Sequence, residues 1–138
     1  MSQNQPVPGL NWTIVEAGDR WYQAVLRFTA GPVPHDRDSV RHLPLDAASE
    51  LVVLLAQRGD RRHMVLWEIP AAPSAWLEII DAIASVRRSN PQVVQLASLP
   101  CSASHAAALA VQQAGVTVLL GELWTLEPLA RRLASRVA

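Results

Sequence analysis

Five short apolar runs alternate with helix-patterned segments along this chain, and that alternation limits what it can fold into. Asn11 to Ala17, Ser39 to Leu45, His63 to Ile69, Val93 to Leu96 and Val116 to Leu120 carry β-favouring bulk. After the first run, Trp21, Val25 and Phe28 recur at helical spacing, with Asp19 expected as the cap. Asp46 is expected to cap a second helix carrying Leu51, Leu54 and Leu55 and closed by Gly59. Pro73-Ser74 opens a third, striped by Trp76, Ile79, Ile80 and Ile83 and stopped at Asn90-Pro91. An alanine-rich helix runs from Ser102 or Ser104 to Gly115. Thr125 caps a last one with Leu126, Leu129 and Leu133 inward.

A helix between two strands returns the chain to the same end of the sheet, so the strands run parallel. The expected fold is α/β: a doubly wound five-stranded parallel sheet in the flavodoxin-like order 2-1-3-4-5, (βα)5. The near-continuous apolar run from His63 marks a strand covered on both faces, and Pro44 marks strand two as an edge. A STAS-like domain or half of a Rossmann fold accommodates the same rhythm less economically. Residues 1–10 are expected as a flexible N-terminal segment and 11–138 as one domain, which uses up the 138 residues and leaves no output domain.

Charge narrows the function classes. Only 17% of residues are charged and the net charge is zero, so no basic footprint for nucleic acid is present. All twelve cations are arginine; there is no lysine. Arg61-Arg62, Arg87-Arg88 and Arg131-Arg132 fall at expected helix ends, where cations complement the dipole. Cys101 is alone, which points to a reducing compartment. Met1 to Gly9 lacks the apolar stretch of a signal peptide, and no apolar run approaches the roughly 18 residues of a membrane span. The expectation is a cytoplasmic protein that meets no membrane.

In an open parallel sheet, chemistry gathers beyond the carboxyl ends of the strands. Those positions are Glu16 and Asp19, then Glu68, then Ala97 and Ser98, then Glu122. Here the chain resembles a response-regulator receiver domain of the CheY-like kind. The likeness rests on Gly115 to Leu129 (strand five into helix five), on Val65-Leu66-Trp67-Glu68-Ile69-Pro70, and on Val93 to Ser98. It spans residues 11 to 137 and implies a degenerate site, a pseudo-receiver. The family's phospho-accepting Asp falls on Glu68 and its Lys on Glu122. Its Thr or Ser falls on Ala97, with Ser98 one step late, and its strand-five aromatic falls on Leu119. Glu16 and Asp19 stand for its metal-holding acids.

Phosphoryl transfer to a carboxylate needs a divalent cation and a positive group for the charge spread over the phosphoryl oxygens. Arginine does not replace a compact ammonium there, and Glu122 reverses the charge. Aspartate phosphorylation, a metal and a cofactor are therefore not expected, and the chain is not expected to be an enzyme. Glu68 is a candidate mimic of a phosphorylated state.

The alternative is a small enzyme or divalent-metal-dependent binder. It would use the acidic crevice, where Glu16, Asp19, Glu68 and Glu122 supply oxygens, or Cys101, four residues before His105 and near Ser98, Ser102 and Ser104. The second set lacks an orienting third group. His35, His42 and His63 show no ligand spacing and are expected in loops or at an edge. The six glycines are ungrouped, so no phosphate cradle is expected.

Five tryptophans against one Tyr and one Phe suggest a partner. Trp67 and Trp76 are expected in the core, Trp21 packing its helix, and Trp12 and Trp124 partly exposed. The resemblance implies pairing with a protein partner, or as a homodimer, through helix 4, strand 5 and helix 5, with Ala107, Leu119 and Trp124 in the contact. The expected function is a non-catalytic interaction or signalling module.

Overall fold

A computed structural model describes residues 11–29, 40–58, 63–70, 76–100 and 104–120. In chain order these form β1 (Asn11–Val15), α1 (Arg20–Thr29), β2 (Val40–Leu43), a 3-10 turn (Leu45–Ala47) and α2 (Ala48–Arg58). There follow β3 (His63–Glu68), α3 (Trp76–Ser89), β4 (Val94–Ser98), α4 (His105–Ala114) and β5 (Val118–Leu120). The strands lie in one parallel sheet in the order β2-β1-β3-β4-β5. The α/β alternation and the parallel sheet agree with the sequence pattern. Cys101, Glu122, Trp124 and the helix expected from Thr125 lie outside the described residues.

Successive side chains of a strand point to opposite faces, and β3 feeds both. Val65 and Trp67 join Val15 and Ala97 beneath Leu51 and Leu55 of α2, Ile79 and Ile83 of α3 and Val111 of α4. Met64 and Leu66 join Trp12, Ile14 and Leu96 beneath Trp21 and Val25 of α1. This two-sided burial is why the run from His63 reads as unbroken apolar sequence. Truncating Leu51, Leu55 or Ile83 to alanine would cost about 2–5 kcal/mol each.

One amide interrupts the first core and is fully used. The Trp67 Nε1–H donates to Gln95 Oε1 at 2.8 Å, and Gln95 Nε2 donates to the Ile83 carbonyl at 3.1 Å. The link ties α3 to two central strands without leaving a polar atom of that amide unpaired.

Several local expectations are corrected. His63, expected in a loop or at an edge, opens the central strand and is buried, with Thr13 Oγ1 2.7 Å from its Nε2. Trp12, expected partly exposed, is 1% exposed, because β1 is flanked by β2 and β3 and covered by α1. Trp76, expected in the core, is half-buried in the first turn of α3, its indole donating to the Pro70 carbonyl. Asp46 makes no capping bond among the described residues: it sits inside the 3-10 turn, whose N-cap Pro44 offers no side-chain bond. Ser104, one of the two candidate caps, does act: its Oγ accepts the Ala107 N–H at 3.2 Å.

Gly115 closes α4 at φ 144°, a region that L side chains rarely adopt, with its N–H donating to Val111 and Gln112 carbonyls. A Cβ there would also meet the Arg87 stem, 2.9 Å from Cδ. Gly115→Ala is expected to lower unfolding free energy by about 1–3 kcal/mol in urea denaturation, with the native α-helical spectrum retained.

Candidate functional site: the crevice at the ends of β1 and β3

Glu16 directly follows β1 and extends its ladder, its N–H donating to the Leu43 carbonyl at 3.1 Å. It is fully buried. A buried carboxylate is costly unless donors surround it, and α1 supplies them. The Trp21 N–H donates to Oε2 at 3.0 Å and the Tyr22 N–H to Oε1 at 2.8 Å. First-turn amides have no partner inside their own helix, and the dipole there favours negative charge. Nε2 of His42 lies 3.3 Å from Oε1, and the His42 ring stacks on Tyr22 at 4.7 Å between centroids. One carboxylate thus joins the end of β1, the start of α1 and the end of β2.

This corrects the assignment of the α1 cap to Asp19. Asp19 is exposed; its main-chain carbonyl accepts from Gln23 at 2.9 Å, while its carboxylate engages nothing among the described residues. The true cap comes from the residue that follows β1, four positions before the helix begins. The paired-acid reading of Glu16 and Asp19 also changes, because Glu16 points into α1 and Asp19 into solvent.

Glu68 ends β3, half-buried, and its Oε1 accepts the Ala17 N–H at 3.0 Å. The carboxylate crosses from β3 to the loop between β1 and α1. In the β3–β4 ladder, Glu68 is opposite Ser98 and Trp67 is opposite Ala97. Facing residues in a parallel ladder share a side of the sheet, so the hydroxyl beside Glu68 belongs to buried Ser98, whereas Ala97 packs into the first core. Alignment by residue type put Ala97 in that role; only the register distinguishes the two. Among the described residues, no three His, Cys, Asp or Glu side chains assemble into a cation site.

The candidate contact residues divide differently. Ala107 is 2% exposed and packs inward, so it cannot face a partner. Leu119 is half-buried against the first core. The outward surface of α4 is carried by His105, Ala106, Gln112, Gln113 and Leu109, the last 54% exposed.

No protein-family model matches the chain, and no curated protein matches it in sequence. Solved structures do match. A putative pilus assembly-related protein from Burkholderia pseudomallei superposes with TM-score 0.64 at 19% identity, over 98% of this chain and 97% of the other. A response regulator from Thermotoga maritima gives TM-score 0.65 at 13% identity, over 91% and 97%. A putative pilus assembly protein (cpaE) from Burkholderia thailandensis gives 0.59 at 19%, over 91% and 98%. The chain has a receiver-like fold, and at these identities the likeness is one of architecture. Among the described residues, no helix is long and apolar enough to cross a membrane.

Removing the carboxylate that links these elements should be felt locally first. Glu16→Ala is expected to cost about 2 kcal/mol in denaturant unfolding and to speed hydrogen exchange at the Trp21 and Tyr22 amides. Glu16→Gln, which keeps an acceptor, should lose less.

Proposed function

We propose that this chain is a receiver-like module that recognises another protein and has left phosphoryl transfer behind. One observation carries the reading: the carboxylates at the ends of β1 and β3 are already engaged by main-chain amides, Glu16 by Trp21 and Tyr22 and Glu68 by Ala17. Glu16, buried with both oxygens holding amides, is not disposed to collect a divalent cation, and Glu68 has one oxygen committed to Ala17. The lysine-free composition removes the usual ammonium as well. In this reading Glu68 holds the crevice permanently in one arrangement, and the chain is not an enzyme.

The partner-facing surface is the α4–β5 side. α4 carries no Asp, Glu, Lys or Arg and presents Leu109 to solvent. The pilus-assembly proteins among the structural neighbours suggest a partner from an assembly apparatus of that kind, met in the cytoplasm.

Two measurements test the reading. Incubation with acetyl phosphate and magnesium should leave the intact mass unchanged; a covalent aspartyl or glutamyl phosphate would overturn it. Leu109→Asp should abolish capture of the protein partner from its native lysate without altering thermal stability, and undiminished capture would count against this face.

A further inference from the structure

We propose that the chain pairs with a second copy of itself through α3, the two helices antiparallel in the groove between α2 and α3. A hollow of about 430 Å³ lies between these helices. Val52 and Ala82 line it, Asp46, Glu78 and Asp81 place carboxylates on it, and Val53 stands 56% exposed beside it. Among the described residues, no arginine pairs with any of the three acids.

The occupant is written into α3 itself. Glu78, Asp81, Ser85 and Arg88 follow one another at helical spacing, so they form one stripe along the helix. Arg88 stays on that stripe, with Nη2 donating to Ser85 Oγ at 3.3 Å. Arg87 does not, because its stem lies over Gly115 at the end of α4. A two-fold axis level with Ile83 brings Glu78 opposite Arg88 of the second copy. The same axis brings Asp81 opposite Ser85 of the second copy. The stripe is therefore self-complementary, as an isologous contact requires. Its charged ends are ten residues apart, about 15 Å along the helix. Between them Ala82 and Ser85, with Ser49 across the groove, are small enough for two helices to approach to about 8–10 Å.

An acid at the start of α3 and arginine at its end would suit the helix dipole alone. The dipole explains neither the hollow beside that stripe nor the exposure of Val53 and of Leu77, which is 73% exposed. This contact uses a different face from the α4–β5 side, so either can fail without the other.

The test is mass measurement by light scattering on the full chain across a concentration series. The wild type should double in mass as concentration rises. It should return to one chain in 1 M salt, where the screening length falls to about 3 Å. Glu78→Arg and Arg88→Glu should each be monomeric, because each brings like charges together across the axis. Mixed one to one, the two variants regain opposite charges at both ends and should form a heterodimer. A wild type that stays monomeric at millimolar concentration and low salt overturns the proposal, as does a reversed variant that still dimerises, or a mixture that does not associate. If the reversals fail to fold, Glu78→Gln and Arg88→Gln serve instead, each expected to weaken association about tenfold. Unchanged association in both would equally overturn it.

Discussion

The organisation of the crevice depends on where one buried carboxylate finds its donors. Glu16 leaves β1 with no access to water and takes the unpaired amides of Trp21 and Tyr22. That choice sets the direction in which α1 departs and draws His42 and Tyr22 together at the end of β2. A water-exposed acid at the same position would be free to collect a cation; a buried one is part of the scaffold. Structural and catalytic uses of the same residue type are separated here by burial and by the supply of N–H groups.

Glu68 extends the same logic across the sheet. Its reach to Ala17 links β3 to the β1–α1 loop by a hydrogen bond, in a region where receiver chemistry would require a metal and a phosphoryl group to do the linking. The fold matches that of the structural neighbours, while the carboxylates at its rim bind main-chain amides.

Much of the architecture was legible in the residues because parallel sheets leave strong patterns. The unbroken apolar run of β3, the stripe of Ile79 and Ile83, and the glycine after α4 each follow from local geometry. What escaped was tertiary. Glu16 looks like a strand-end acid until α1 is seen to turn back over it, and cap signals are sought at the helix border, not four residues upstream. His63 and Trp12 were misplaced because neighbouring strands, not nearby residues, decide their cover. Ser98 and Ala97 exchange roles only when the ladder register is known. Ala107 and Leu109 are two apart on one helix, and an alanine-rich sequence does not say which of its small residues faces inward.

The sheet's outermost described strands are short: β2 has four residues and β5 three. Pro44, which lacks an amide hydrogen, stands directly after β2. A foreign strand zipping onto that margin would find too few rungs to hold. Fibre-like growth by lateral strand addition is thereby discouraged on the β2 side.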